Sequence, residues 1–303
     1  MNNFKLWISA FRLRTLPLSV SGIIVGSSFA YYNGAFDILI FVFAILATIG
    51  LQVLSNLSND YGDGVKGTDS AERIGPERAI QSGKISPEQM FDAIKINILI
   101  VIFIVILLLL SAFGRNYFWY SLIFFILTGL SIYASIRYTV GDGAYGYRAL
   151  GDIMVFLFFG LLSVMGTYFL FIKQLDHVII LPAFVIGLLS AGVLNLNNMR
   201  DLASDKNSNK ITLAVKLGLK RSKIYHAALV IGAMVLAVLF GVLYYRAPFN
   251  FIYLIVFIPL IKHLLTVTNI QEPKLFDPQL KVLALSTFAL SILMGLGYIY
   301  HIL

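Results

Sequence analysis

The stretch of sequence at residues 92–113 reads DAIKINILIVIFIVILLLLSAF and decides the class of fold. A helix that crosses a bilayer needs about 20 mostly apolar residues, and this stretch has that length, with its only two charges in the first four positions. Residues 86–89 precede it, where Ser86 is the expected helix cap and Gln89 completes a capping box around Pro87. The stretch therefore predicts a transmembrane helix with a defined start.

Eight further apolar runs flank this one. Hydrophobic residues make up 59% of the 303-residue chain and charged residues only 13%, against about 25% in a soluble protein. We therefore predict one domain over residues 1–303, an all-α integral membrane fold of about nine transmembrane helices around a central cavity. The predicted helices cover about 16–33, 37–58, 92–113, 117–138, 149–171, 178–198, 223–245, 249–268 and 282–302.

Basic residues predict the orientation of the chain in the membrane. With a cytoplasmic N-terminus, the outer connections contain only Arg115, Lys173 and Arg246, and the other 20 of the 23 Lys and Arg residues lie at inner segments. This asymmetry follows the positive-inside rule, so we expect a multi-pass protein of the cytoplasmic (inner) membrane. No small-residue cleavage site follows the first apolar run, so no cleavable signal peptide is expected.

Composition excludes several kinds of site. The chain has no Cys, which rules out a disulfide framework, a thiolate metal site and a Cys nucleophile. Its four His residues have no zinc-type spacing. The net charge of +8 fits loops that face anionic lipid headgroups and the cytoplasm, so membrane lipids and not nucleic acids are the expected partners.

Two predicted inner loops, at about 59–91 and 199–222, stand apart by their length and charge. Loops longer than about 12–15 residues usually carry function or are disordered. Each loop follows an even-numbered helix and begins with Asn and Asp residues, which is a weak sign of an internal repeat of the kind also known in transporters. We expect the functional site at these two loops.

Each loop begins with a polar cluster whose spacing places its members on one face of a helix. Oxygen ligands from Asp and Asn side chains suit a hard cation such as Mg²⁺, and two clusters at the same membrane depth are expected to face each other. Four carboxylates alone would repel, and divalent cations with a polyanionic ligand would offset that repulsion. The candidate metal ligands are Asn56, Asn59, Asp60 and Asp63 in the first cluster and Asn198, Asp201 and Asp205 in the second.

Basic residues follow both clusters. Arg and Lys side chains are the usual ligands of phosphate groups, and carboxylates for Mg²⁺ beside cations for oxyanions predict a diphosphate site. The rival interpretation is that inner-loop Lys and Arg only set topology, which fits Lys216, Lys220 and Arg221 best. The candidate diphosphate-binding residues are Lys66, Arg73, Arg78 and Lys210.

Asp152 lies outside both clusters, at the inner end of the fifth predicted helix. An ionisable residue at the edge of a spanning segment is a candidate functional residue, and a carboxylate there would serve as a general base for an acceptor hydroxyl. The alternative is an i, i+4 ion pair with Arg148 that only holds the helix. The sequence leaves both interpretations open.

The first cluster resembles the first motif of the UbiA superfamily of intramembrane aromatic prenyltransferases, Asn-Asp-x-x-Asp-x-x-x-Asp. Asn59, Asp60 and Asp63 match its first three positions. Gly67 stands at the last position, and the nearest carboxylate is Asp69, two residues later. The resemblance extends over nearly the whole chain, and it implies nine helices with Asp-rich motifs after the second and the sixth.

A finer resemblance is to the 1,4-dihydroxy-2-naphthoate polyprenyltransferase branch of that superfamily, which acts in menaquinone biosynthesis. That branch has Asn-Asp-Tyr-x-Asp-x-x-x-Gly-x-Asp followed by Arg-x-Gly-Pro-x-Arg, and residues 59–69 and 73–78 match both patterns. The family's second motif, Asp-x-x-x-Asp, is matched by Asp201 and Asp205. Asp152 stands where the branch often has Glu.

The resemblance implies a Mg²⁺-dependent transferase that moves a polyprenyl chain from polyprenyl diphosphate to 1,4-dihydroxy-2-naphthoate, with loss of the ring carboxylate as CO₂, giving demethylmenaquinone. Two Mg²⁺ ions would hold the diphosphate between the clusters, and the basic residues would neutralise it as the allylic C–O bond breaks. Catalytic roles are expected for Asp60, Asp63, Asp201, Asp205 and Asp152.

Two rival functions stay open on the sequence. A transporter for a divalent cation or an organic anion would also use clustered carboxylates, but near the bilayer midplane rather than at the cytoplasmic helix ends. A sister prenyltransferase with another acceptor, such as 4-hydroxybenzoate, differs only in the details that carry the finer resemblance.

Overall fold

The structure of the protein is a computed structural model that describes residues 3–68, 74–75 and 78–300. Within those residues the fold is all-helical, and nine helices are long and apolar enough to cross a membrane, which confirms the predicted fold class. In chain order they are α1 Lys5–Tyr32, α2 Ile38–Val65, α3 Pro87–Phe113, α4 Phe118–Arg137, α5 Gly151–Ile172, α6 His177–Arg200, α7 Leu213–Leu243, α8 Pro248–Asn269 and α9 Pro273–Ile299.

The first helix is broken near its start. Arg12 has a φ of 50°, and a 3₁₀ turn follows at Leu13–Thr15 before the helix resumes with Pro17 in its first turn. Asn56 of α2 donates a hydrogen bond from its side-chain amide to the carbonyl oxygen of Phe11 at 2.9 Å. The break in α1 is therefore held against the end of α2, where the first polar cluster lies.

Helix ends differ from the sequence prediction on the polar side of the molecule. α2 continues to Val65, and α3 begins at Pro87, where the predicted capping box of Ser86 is formed. The predicted loop at 199–222 is largely helical, because a short helix covers Leu202–Asn207 and Thr212 caps α7 through the backbone N–H of Val215. Hydropathy marks the part of a helix that lies in lipid, and these helices extend beyond it.

Helix α6 is central, and it packs against α5, α7 and α9. Gly160 of α5 and Gly187 of α6 lie close together, since a Cβ added to Gly160 would lie 2.6 Å from the Cα of Gly187. Small residues at such crossings let two backbones approach closely within a membrane. This packing holds α6 tightly against α5, the helix that precedes it.

A central cavity of about 690 Å³ lies between the helices. The π-helical stretch Phe156–Gly166 of α5 contributes part of its wall, and such stretches often occur at functional sites. One end of the cavity is apolar and the other is lined by residues of both polar clusters. Apolar lining residues include Val105 and Leu108 of α3, Leu127 of α4, and Phe158 and Leu162 of α5.

Candidate active site

The end of α2 presents the first cluster to the cavity. Because the helix continues to Val65, its turn fixes the spacing of the polar side chains. Asn56, Asn59 and Asp63 line the cavity, and Asp60 is buried beside them, with 1% of its surface exposed.

The two carboxylates of α2 are paired with cations from other segments. Arg12, at the break in α1, contacts Asp60. Nη1 of Arg78 lies 2.7 Å from Oδ2 of Asp63, and its Nε lies 3.5 Å from Oδ1 of Asp60. Nζ of Lys210 lies 3.0 Å from the same oxygen of Asp63. Buried charges need such partners, so Arg78 and Lys210, both predicted diphosphate ligands, lie at the first cluster.

The second cluster closes α6 and lines the same cavity. Asn198, Asp201 and Asp205 are all buried there. The three residues do not share one continuous helix, since α6 ends at Arg200 and the short helix Leu202–Asn207 follows. Lys210 links the two clusters, since its backbone N–H donates to the carbonyl oxygen of Asp205 at 2.8 Å and its Nζ lies 3.0 Å from Asp63.

The crowding of acidic groups affects the ionisation of Asp205. The pKa of Asp205 is raised to about 7, and burial of the carboxyl group is the largest cause. The charge of Lys210 opposes this shift, and the charges of Asp201 and Asp63 add to it. Since carboxylates must be close to shift one another in this way, acidic groups of both clusters act on one region of the cavity.

The donor set fits Mg²⁺ that is bound together with a diphosphate. In the part of the chain that the structure describes, no three His, Asp or Glu side chains converge as a preformed metal site. Mg²⁺ is usually held through one or two carboxylates and the phosphates of a substrate. Carboxylate and amide oxygens at the cavity wall, with Arg and Lys beside them, match that mode of binding.

Lys66, a third predicted diphosphate ligand, does not line the cavity. Nζ of Lys66 donates hydrogen bonds to the carbonyl oxygens of Thr139, at 2.8 Å, and Gly141, at 2.9 Å. Those residues belong to the connection between α4 and α5, so Lys66 holds that connection against the end of α2. Arg73 lies outside the described residues.

Arg200 has a position that the sequence did not reveal. It is almost fully buried, and its Nε and Nη2 donate to the two carboxylate oxygens of Asp201 at 2.9 and 2.7 Å. Its Nη1 donates to Oδ1 of Asp277 on α9 at 2.5 Å, and its Nη2 also donates to Oδ1 of Asn197 at 2.7 Å. One guanidinium therefore joins α6 to α9 and orients a predicted metal ligand.

Asp152 is buried at the start of α5, beside the cavity wall that Gly151 and Met154 help to form. The hydroxyl of Tyr225 of α7 lies near its carboxylate, and its Oδ1 has no hydrogen-bond partner among the described residues. The guanidinium of Arg148 lies against Gly143, so the ion pair that the sequence left open is not formed. The role of Asp152 as a base stays a prediction.

Similarity to known proteins identifies the family. The UbiA prenyltransferase family matches residues 19–275. The chain belongs to this family. A 1,4-dihydroxy-2-naphthoate octaprenyltransferase of Escherichia coli (strain K12) is 40% identical over 291 residues, which cover 96% of this chain and 94% of that protein. A protein of the same name from Haemophilus influenzae is 40% identical over 304 residues, which cover 97% and 95% of the two chains.

Solved structures of UbiA homologs share the fold. The apo structure of a homolog from Aeropyrum pernix K1 has a TM-score of 0.70 at 15% identity and covers 96% of this chain and 99% of its own. A homolog from Archaeoglobus fulgidus bound to DMAPP and Mg²⁺ has a TM-score of 0.58 at 15% identity, with 93% and 98% covered. The helical arrangement is therefore that of the UbiA family over essentially the whole chain.

Arg200→Ala is expected to destabilise this UbiA protein. The expected loss in the free energy of unfolding is about 3–5 kcal/mol, the usual cost of removing one partner of a buried ion pair, because Asp201 is left buried without its guanidinium. The pair with Asp277 contributes less of this loss, because Asp277 is partly exposed. The measurement is the midpoint of thermal unfolding in detergent, with the exposed neighbour Lys206→Ala as the control. Equal midpoints for the two variants would contradict the role assigned to Arg200.

Asp152→Asn is expected to lower kcat with little change in the KM for prenyl diphosphate, since general-base catalysis contributes about 10²–10⁴-fold. Asp152→Glu should retain substantial activity. Tyr225→Phe is the control, because it removes the hydroxyl near Asp152 and keeps the carboxylate. A pH–rate profile and thermal unfolding test this, and an Asp152→Asn protein that is destabilised yet has full turnover per folded molecule would assign Asp152 to structure alone.

Proposed function

We propose that the protein transfers a polyprenyl chain from polyprenyl diphosphate to 1,4-dihydroxy-2-naphthoate, with loss of the ring carboxylate as CO₂, giving demethylmenaquinone. The observation that carries the proposal is the 40% identity to two 1,4-dihydroxy-2-naphthoate octaprenyltransferases over nearly the full chain. The geometry of the cavity supports it, because a polar end suited to a diphosphate adjoins an apolar end suited to an isoprenoid chain.

The diphosphate would lie between the two polar clusters. Asp63, Asp201 and Asp205 carry the carboxylates on the cavity wall, and Asn59 and Asn198 add amide oxygens there. Mg²⁺ bound with the diphosphate would stabilise the negative charge of the leaving group. These side chains supply the oxygen ligands that Mg²⁺ prefers, and a homolog of the same fold binds DMAPP and Mg²⁺.

Arg78 and Lys210 are suited to stabilise the leaving diphosphate. Both are buried, line the cavity and lie against the same oxygen of Asp63. A guanidinium and an ammonium held at that point would stabilise the charge that develops on the diphosphate as the allylic C–O bond breaks. The allylic cation would then alkylate the electron-rich ring, and the ring carboxylate would leave as CO₂.

The prenyl chain would occupy the apolar part of the cavity. The side chains there come from α2 to α5 and include aromatic rings such as Phe124 and Phe158. Cavities of this size, lined mainly by apolar and aromatic groups with a few convergent polar ones, are typical of ligand sites. The transporter alternative fits less well, since Asp63 and Asp201 lie at the ends of α2 and α6, whereas transport sites lie near the midplane.

Membranes that contain the protein are expected to convert labelled polyprenyl diphosphate when 1,4-dihydroxy-2-naphthoate is supplied, and not when 4-hydroxybenzoate replaces it. Activity should be lost with EDTA and restored by excess Mg²⁺. Asp63→Ala should lower turnover by at least about 100-fold, the scale seen when a group that stabilises developing charge is removed.

The matched control is Asp92→Ala, which removes an exposed carboxylate that pairs with Lys95 at 2.7 Å on α3, away from the cavity. It should keep normal turnover. Product formation with 4-hydroxybenzoate alone would replace the proposed acceptor, and full turnover in EDTA would exclude the metal-dependent mechanism.

We also propose that the N-terminus and the polar end of the cavity face the cytoplasm, in the cytoplasmic membrane. The support is the distribution of Lys and Arg, with only Arg115, Lys173 and Arg246 on the opposite side. Because the chain has no Cys, single cysteines report orientation cleanly. In intact cells a membrane-impermeant maleimide should label Leu175→Cys, and Asp142→Cys should react only after permeabilisation; the reverse pattern would invert the topology.

A further inference from the structure

The connection between α4 and α5 packs against the first cluster, and no sequence motif marked it. A 3₁₀ turn covers Tyr145–Tyr147 within it. Arg148 forms an isolated parallel β-bridge with Ile211, the residue that follows Lys210. The connection is therefore fastened to the segment that carries one of the two buried cations at Asp63.

The hydroxyl group of Tyr147 is the point at which this connection meets the first cluster. It donates a hydrogen bond to Oδ1 of Asp63 at 2.8 Å, and it lies 2.6 Å from Oγ1 of Thr68. A phenol has one proton to donate. Since that proton goes to the carboxylate, the hydroxyl of Thr68 must donate to Tyr147. Thr68 therefore donates to Tyr147, and Tyr147 donates to Asp63.

The ring of Tyr147 contacts two ammonium groups. Nζ of Lys66 lies 4.4 Å from the ring centroid, and Nζ of Lys210 lies 5.3 Å from it, both within the range of cation–π attraction. Lys66 also binds two carbonyl oxygens of the connection. The side chain of Tyr147 thus contacts both Asp63 of the first cluster and Lys210, whose backbone N–H binds Asp205 of the second cluster.

Tyr147 lies behind the cavity wall, which is formed at this point by Asp63, Thr68 and Lys210. Arg78 and Lys210 form ion pairs with Oδ2 of Asp63, and Tyr147 donates a hydrogen bond to Oδ1. The carboxylate is consequently held at both oxygens, and its rotation about the Cβ–Cγ bond is restricted. A change at Tyr147 would reach the cavity through its contacts with Asp63, Thr68 and Lys210.

We propose that Tyr147 is a positioning residue of the diphosphate site, which sets the rotation of the Asp63 carboxylate and the place of the Lys210 ammonium. This inference rests on the proposed function, in which Asp63 is a metal ligand and Lys210 binds the diphosphate. Residues that hydrogen-bond to metal ligands orient them, and their loss typically costs about 10–100-fold in metal affinity or activity.

The test compares two tyrosines of the same connection. Tyr147→Phe keeps the ring and its contacts with both lysines and removes only the hydroxyl. Tyr145→Phe is the matched control, since its hydroxyl donates to the backbone carbonyl of Ala134 at 2.9 Å and to no cluster residue. The measurement is Mn²⁺ binding to the purified full chain with inorganic pyrophosphate present, followed by the electron paramagnetic resonance signal of free Mn²⁺.

Tyr147→Phe is expected to weaken Mn²⁺ binding by about 10-fold or more, and Tyr145→Phe should leave Mn²⁺ binding unchanged. Both variants should lower the midpoint of thermal unfolding by similar amounts. Thr68→Val should weaken Mn²⁺ binding in the same direction by less, because Tyr147 keeps its bond to Asp63. In turnover assays, Tyr147→Phe should raise the Mg²⁺ concentration needed for half-maximal rate.

Equal Mn²⁺ affinities for wild type and Tyr147→Phe would overturn the proposal and leave Tyr147 as a structural contact of the connection. A wild-type protein that binds no Mn²⁺ with pyrophosphate would instead overturn the metal-dependent function on which the proposal rests. The two failures are therefore distinguishable in one titration.

Discussion

The structure depends on the neutralisation of buried carboxylates at the end of α2. Asp60 and Asp63 are each 1% exposed, and an unpaired charge at such a place would cost several kcal/mol. Cations from three distant segments supply the pairing: Arg12 at the break in α1, Arg78 after α2, and Lys210 before α7. The need to pair these charges brings the first cluster and the segment after α6 to one place.

The second cluster is stabilised by the same kind of interaction. Arg200 neutralises Asp201 and contacts Asp277 on α9, so guanidinium groups link the carboxylates of both clusters to other segments. Such pairs contribute little net stability when compared with apolar packing. Their consequence here is geometric, since they fix where the carboxylates point at the cavity wall.

The membrane imposes the second constraint. The nine spanning helices found in the described residues satisfy their own backbone hydrogen bonds in lipid, and most of the charged residues lie toward one side of the bundle. The cavity joins these two environments, with Asp63 and Asp201 at its polar end and Leu127 and Leu162 at its apolar end. A substrate with a charged head and an apolar tail matches that division, as a prenyl diphosphate does.

The spans and the helical spacing of the first cluster were readable from the sequence, because hydropathic length and helical periodicity are local properties. The capping box at Ser86 was readable for the same reason. The prediction of one helix face was wrong for the second cluster, since α6 ends at Arg200 and a separate short helix carries Asp205. Helix ends outside lipid were harder to predict from the sequence. The sequence placed the end of the second helix at 58, and the structure places it at Val65. Caps and tertiary contacts decide those ends, and hydropathy does not report them.

The sequence by itself determined the fold class, the polar residues available for chemistry and the family resemblance. Only the tertiary structure decided that Lys210 meets Asp63 across 147 positions, that Tyr147 meets it across 84, and that Arg200 meets Asp277 across 77. It also placed Lys66 on backbone carbonyls rather than at the cavity. Such contacts depend on which helix faces pack together, and helix packing is a property of the tertiary structure that no local sequence pattern contains.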